Sequence, residues 1–341
     1  LSQNRTQLKH IESIRAFAAL SVAIFHFTNA WNEGNFLIPN ADQRFFFTYG
    51  AQGVEIFYVI SGFIIPYALY HSTYSTQNYF KYLGKRLVRL MPPYLLTIAA
   101  ILLFDIFTAK FLWGLPINIE WRNVFANSIF AVDFIHSMDF LHNYFPDNRW
   151  INPVFETLKV EVQFYVFIGL VFPLINRNRF FLLPIGIFLL LAGIYTAHMN
   201  TLLVNSPYFL LGIGAFYIFK DGWKPLPAIL ILCSIVSLLI FYVRQDLIAG
   251  ILAFVLILWL PSNFKFLNFT GKISYSYYLI HGLSGGQLIY FMRDTSLAQN
   301  SPYLLVLFAL VISWLASFLI YFCIEKPSMK ISKRIRYSTK R

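Results

Sequence analysis

Apolar stretches long enough to cross a membrane recur along the whole chain, and they constrain its fold more than any other feature. They cover residues 13–30, 50–71, 92–111, 154–176, 180–198, 207–219, 226–243, 246–260, 274–292 and 302–324, ten in all. Crossing a bilayer core takes about 20 predominantly apolar helical residues. Backbone polar groups have no water to bond there, so only helices or closed barrels are viable. Long apolar runs without two-residue alternation select helices. Of 341 residues, 58% are hydrophobic and 12% charged, too many apolar side chains for one soluble core. The expectation is an all-α, polytopic membrane protein with about ten transmembrane helices. It reads as a single domain over 1–341, with spans from about 13 to 324, a basic tail over 325–341 and no appended soluble domain.

A net charge of +12 invites a nucleic-acid reading, but the basic residues sort by side of the membrane instead. With the N-terminus cytoplasmic, 20 of the 27 Lys and Arg residues fall on the cytoplasmic side, among them Arg5, Lys9, Arg86, Arg89, Arg177 and the whole tail. That is the positive-inside asymmetry, and it makes both termini cytoplasmic. The tail is then expected to touch anionic lipid rather than nucleic acid. The same argument makes 121–135 an interfacial or re-entrant helix on the outer face, because an eleventh span there would put the basic tail outside.

Arg15 and His26 share the first apolar stretch. Eleven helical steps separate them by roughly 16 Å and about 1100°, close to three whole turns, so both heads lie on one helix face. Two costly ionisable groups on one face mark a polar path into the bilayer. Glu161, also inside an apolar stretch, is expected at the depth of His26 and within reach of it; the bland alternative is a hydrogen bond between neighbouring helices. Lys159 lies about 200° around from Glu161, and Glu156 is its natural i,i+3 ion-pair partner. Arg86 and Arg89 share a face if their stretch is helical, and with Arg15 they form a candidate phosphate clamp. Positive-inside anchoring explains any one of them alone.

Other motifs carry less. Gly282-Leu283-Ser284-Gly285-Gly286 matches the G-x-S-x-G pattern of a hydrolase elbow, which needs a strand-to-helix turn and not an apolar helix. The glycines there suit close helix packing or a local break. His281 beside them is either a packed histidine or a catalytic one. Cys233 and Cys323 sit in apolar stretches as small packing residues. The segment 111–153 holds Asp133, His136, Asp139, His142, Tyr144, Asp147 and Trp150. It lacks a compact metal-ligand pair and is expected to be a polar lid or a sugar-contacting surface. No metal site, cleavable signal or repeat is expected.

Several of these pieces together resemble integral-membrane acyltransferase family 3, which O-acylates bacterial surface polysaccharides and related acceptors. The resemblance rests on Ile11-Glu12-Ser13-Ile14-Arg15 through Phe25-His26, on Gly53-Val54-Glu55-Ile56-Phe57-Tyr58-Val59-Ile60-Ser61-Gly62-Phe63, and on Arg86-Leu87-Val88-Arg89-Leu90-Met91-Pro92-Pro93-Tyr94. It continues through Thr157 to Tyr165, Gly271-Lys272-Ile273-Ser274-Tyr275-Ser276 to His281, and Glu325-Lys326-Pro327. The ordered set is more specific than any one piece. Glu156 stands where the family usually has Trp, and Lys159 is unusual at membrane depth; both departures touch the acceptor pocket.

The resemblance implies cytoplasmic acyl-coenzyme A, acetyl-coenzyme A foremost, as donor substrate, with no permanently bound cofactor. The implied acceptor is a glycan or lipid-linked sugar on the outer side, and the implied location is the bacterial inner membrane. Its functional positions are His26 and Glu161 as catalytic residues and Arg15, Arg86 and Arg89 as donor-binding residues. Glu55, Ser61, Tyr165, Ser274 and His281 are accessory candidates. The expected chemistry is proton removal from an acceptor hydroxyl by His26, with Glu161 orienting it, or a covalent acyl-enzyme. The rival class is a polytopic transporter or flippase, which would lose uptake or export without losing acylation.

Overall fold

The computed structural model describes residues 2–29, 37–38, 40–116, 119–132, 150–196, 200–242, 244–259 and 265–337. Among them the regular structure is helical and no strand occurs. In chain order the helices are α1 (Ser2–Asn29), α2 (Ala41–Thr48), α3 (Gly53–Tyr70), α4 (Tyr79–Phe107), α5 (Trp121–Ser128), α6 (Val154–Arg177), α7 (Leu182–Tyr195) and α8 (Ser206–Asp221). There follow α9 (Pro225–Phe241), α10 (Arg244–Trp259), α11 (Lys265–Lys272), α12 (Ser274–Ile280), α13 (Gln287–Met292), α14 (Ser296–Asn300), α15 (Pro302–Ile320) and α16 (Lys326–Arg334). Within the described residues, each apolar stretch read from the sequence overlaps helix. Five helical runs among the described residues are long and apolar enough to cross a membrane: His10–Asn29, Gln43–Tyr70, Thr76–Leu112, Val154–Arg177 and Pro302–Arg334.

Glycine sets the closest helix crossings. A Cβ on Gly212 of α8 would lie 2.1 Å from the Val59 carbonyl oxygen and 2.7 Å from the Gly62 Cα, so α3 and α8 touch backbone to backbone. A Cβ on Gly271 would meet the Glu12 carbonyl oxygen at 1.8 Å, which docks α11 against α1. Small residues at such crossings are the usual device in a bilayer, where burying apolar surface gives helices little reason to associate. Ser13 adds a side-chain hydrogen bond to Asn268 at 2.6 Å across the same contact.

Three features differ from the sequence reading. The third apolar stretch does not open at Pro92, because α4 begins at Tyr79 and runs through Pro92 and Pro93. Two prolines free the Val88 and Arg89 carbonyls, which is tolerated in membrane helices; next to them the Tyr275 hydroxyl donates to the Leu90 carbonyl at 2.7 Å and ties α12 to α4. Second, the expected Glu156–Lys159 pair is absent from the described ion pairs. Glu156 accepts from the Asn200 amide at 3.0 Å, and the Lys159 ammonium lies 6.0 Å from the Trp150 ring centroid. Third, the sequence reading gave the start of the tail no protein partner, and α16 packs on α4, where Ser332 donates to the Lys85 carbonyl at 2.7 Å. Within 121–135, helix covers Trp121–Ser128, too short to span. The His and Asp residues expected to form an outer lid, Asp133 to Asp147, lie outside the described residues.

Candidate active site

Arg15 leaves the middle of α1 and donates from Nε to the Ser274 hydroxyl at 3.2 Å, with its guanidinium carbon 5.8 Å from the Phe57 ring centroid. It lines a small cavity of about 50 Å³ together with Ser61, Glu161 and Ser274, walled by Tyr58 and Tyr278. By water volume the space takes roughly three or four molecules. Three accessory or catalytic candidates from separate parts of the sequence therefore do meet Arg15.

Glu161 turns along α6 and accepts a hydrogen bond from the Tyr165 hydroxyl one helical turn on. Tyr165 is where the arginines converge. The Arg86 guanidinium lies 5.6 Å from its ring centroid and 5.5 Å from that of Tyr82. Arg89 is within electrostatic reach of both Tyr165 and Arg15, and Arg15 is within reach of Glu161. The continuous helix through residues 86–89 puts Arg86 and Arg89 on one side of α4. A second carboxylate lies near the arginines. Glu325, only 1% exposed, accepts from the Ser276 hydroxyl at 2.6 Å and lies within electrostatic reach of Arg15 and Arg89.

His26 does not join this cluster. The expected meeting with Glu161 fails because Glu161 points along α6 to Tyr165 and Arg15, while His26 lies three turns further along α1. Its ring neighbour is His281, at a centroid distance of 5.2 Å. His281 is 2% exposed, and its Nδ1 is 2.8 Å from the Tyr278 carbonyl oxygen. A carbonyl only accepts, so Nδ1 carries the proton and a neutral ring keeps its lone pair on Nε2. Tyr278 links the two regions: its hydroxyl shares a 2.6 Å hydrogen bond with Thr157 at the cavity, and its ring packs 6.0 Å from His281.

The glycine-rich stretch after His281 is a π-helical turn, Gly282–Gly286, closed by the Gly286 amide on the His281 carbonyl at 3.0 Å. Such turns are frequent at functional sites. Ser284 donates to the Ile280 carbonyl at 2.9 Å, so it is helix packing and not an elbow nucleophile. Glu55 lies apart from the Arg15 cavity, within electrostatic reach of Asp246. No group of three or more His, Cys, Asp and Glu side chains is arranged to hold a metal among the described residues.

Sequence reasoning gave Tyr275, Tyr278 and Thr157 no role, although all three lie in quoted motifs. It gave none to Glu325 either, although a carboxylate one residue beyond an apolar stretch was a usable signal.

Comparison with known families says which class of enzyme carries this arrangement of arginines, carboxylates and paired histidines. The acyltransferase domain of family 3 matches residues 8–322, and the chain belongs to that family. The O-acetyltransferase OatA of Staphylococcus aureus is 28% identical over 139 residues, which are 35% of this chain and 21% of OatA. The putative acetyltransferase ORF330 of Acidianus two-tailed virus is 27% identical over 213 residues, 62% of this chain and 55% of that protein. The match thus spans little of OatA and about half of ORF330. No solved structure matches the chain.

Proposed function

We propose that this chain is a membrane O-acyltransferase that moves an acyl group, acetyl foremost, from cytoplasmic acyl-coenzyme A to a hydroxyl of a glycan or lipid-linked sugar at the outer face of a bacterial inner membrane. The observation that carries the reading is the convergence of Arg15, Arg86 and Arg89 around Tyr165 and Glu161, three turns along α1 from His26. Arginine forks suit phosphate oxygens, and Glu161 and Glu325 lie within electrostatic reach of Arg15. Family membership and the OatA likeness support acyl transfer as the reaction.

In this reading the chain crosses the membrane ten times with both termini cytoplasmic. The nucleotide phosphates of the donor rest on the arginines, and the pantetheine arm runs along α1 toward His26, roughly 16 Å away. The small cavity at Arg15 must open for it, and Phe57 and Tyr278 are the side chains that stand in the way. His26 removes the proton from the acceptor hydroxyl as its oxygen attacks the thioester carbonyl. The carbon–oxygen bond forms, the carbon–sulfur bond breaks, and the proton passes from His26 to the departing coenzyme A sulfur. His281, with its Nδ1 proton held by Tyr278, presents an Nε2 lone pair that can orient His26. Glu161 acts on Arg15 and Tyr165.

Binding of radiolabelled acetyl-coenzyme A to the full chain in nanodiscs tests the clamp. Charge-assisted hydrogen bonds contribute about 1.5–3 kcal/mol each, so Arg86→Gln and Arg89→Gln should each raise Kd by about tenfold or more. Unchanged affinity in both variants removes the arginines from donor binding.

A further inference from the structure

Three unpartnered buried polar atoms lie away from the arginines. The Gln52 Oε1, Glu55 Oε2 and Ser206 Oγ atoms are all shielded from solvent and have no hydrogen-bond partner among the described residues. They belong to different elements, the turn before α3, α3 itself and the first residue of α8; the first two have Asp246 as a common neighbour, and Ser206 lines a groove with it. Gln52 donates to the Asp246 carboxylate at 3.3 Å, and Glu55 lies within electrostatic reach of Asp246. Tyr208 is within reach of both carboxylates. Native proteins rarely leave buried polar atoms unpaired, so such a set points to a bound group or to water that completes it.

Asp246 and Ser206 also line a groove of about 560 Å³ between α7, α8, α9 and α10. Its polar end is formed by Asp246, Ser206, Ser237 and Tyr242; its other wall is Ile194, Ile240 and Phe241, which are 37%, 64% and 51% exposed. The groove therefore has a polar head, in which, among the described residues, Asp246 is the one carboxylate beside the Ser206 and Ser237 hydroxyls, and an exposed apolar flank. A single carboxylate among hydroxyls suits a ligand that offers hydroxyl groups better than a compact divalent cation, which takes about six to eight oxygen ligands. The volume falls in the range of small-molecule sites. From Asp246 the polar groups continue through Gln52 and Glu55 along α3 toward Tyr58, which lines the Arg15 cavity.

We propose that this groove is the binding site for the acceptor: a sugar headgroup whose hydroxyls are held by Asp246 and Ser206, on an apolar tail that leaves between α7 and α9 into the bilayer. The assignment rests on the acyltransferase reading above for its purpose, but not for its binding test. Its end of the bundle, at the start of α8 and α10, is the outer side in the ten-span arrangement.

The test uses the full chain in proteoliposomes and an alkyl glucoside with a photoactivatable diazirine in its tail; the same tail on a simple alcohol is the control. Labelled peptides are located by mass spectrometry. Glucoside labelling should concentrate on α7 and α9, be displaced by excess hexyl glucoside but not by hexanol or hexylammonium, and fall at least fivefold in Asp246→Asn. Ser206→Ala should weaken it less, because only one hydroxyl is lost. Labelling that is equal for glucoside and alcohol, competed by hexylammonium, or undiminished in Asp246→Asn overturns the site. Wild-type and Asp246→Asn are also given acetyl-coenzyme A. A raised glucoside KM with unchanged acetyl-coenzyme A KM is expected. Intact labelling without acetyl transfer in the wild type would count against the acyltransferase reading and leave the sugar site standing.

Discussion

Glu325 sits at 1% exposure, and two arginines from different helices lie within its electrostatic reach. Removing one member of a buried charge group leaves the others uncompensated and costs about 3–5 kcal/mol. Glu325→Leu should therefore lower the unfolding temperature in detergent markedly, whereas Ser276→Ala, which removes one hydroxyl from a carboxylate that keeps its arginines, should cost about 1–2 kcal/mol. Equal thermal shifts would mean that the arginines do not depend on Glu325. His281 makes a separate prediction. It lies beside His26 and away from the arginines, so His281→Ala should reduce kcat by about tenfold, a part of the factor general base catalysis supplies, with the acetyl-coenzyme A KM unchanged. A rise in that KM alone would make its role structural. At this scale Arg15, His26 and Glu161 were legible because an ionisable group in an apolar stretch stands out at once. Their partners were not: Glu161 was assigned to His26 from matching depth, and depth says nothing about which way a carboxylate turns on its helix.

The element that places His281 is the π-helical turn Gly282–Gly286. A Cβ on Gly285 would lie 2.5 Å from the Phe27 ring and the Ser313 hydroxyl and 2.6 Å from the Ala309 carbonyl oxygen, while one on Gly282 would meet nothing within 4 Å. The Gly285 amide also donates to Ser313 at 3.0 Å. Overpacking typically costs about 1–3 kcal/mol, so Gly285→Ala should lower both thermal stability and kcat, and Gly282→Ala should leave both near wild type. Both variants behaving alike would contradict this account of the turn. Helix positions were legible from apolar length, since each stretch overlaps helix within the described residues. The start of α4 lay outside apolar length alone, because its first turns, from Tyr79 to Met91, carry the basic residues Lys81, Lys85, Arg86 and Arg89. The glycines of Gly282–Gly286 marked a packing contact or a local break, but neither that π turn nor the one at Tyr321–Glu325 was legible as such, because a single extra residue per turn leaves no mark on apolar periodicity.

For the whole molecule, the central expectation is sidedness: donor groups inside, acceptor groups outside. The charge distribution that suggested it is a property of the entire chain, legible without any contact. In a background with Cys233 and Cys323 replaced, Trp223→Cys before α9 should react with an impermeant maleimide only from the cytoplasmic side, and Ser296→Cys on α14 only from the outside. Labelling of both from one side would contradict the ten-span arrangement. The class of reaction was legible from ordered motifs spread over the chain; the groove at Asp246 was not, since its walls come from four helices and its polar atoms from residues that form no motif.

The most direct measurement follows labelled acetyl from acetyl-coenzyme A into the glycans of membrane vesicles carrying the wild-type chain or a folded His26→Ala variant. The account predicts transfer by the wild type and a loss of at least a hundredfold in the variant, the lower bound of what a general base contributes. Equal transfer by both would contradict His26 as the base, and no transfer by the wild type across a panel of acyl donors and sugar acceptors would contradict acyl transfer itself.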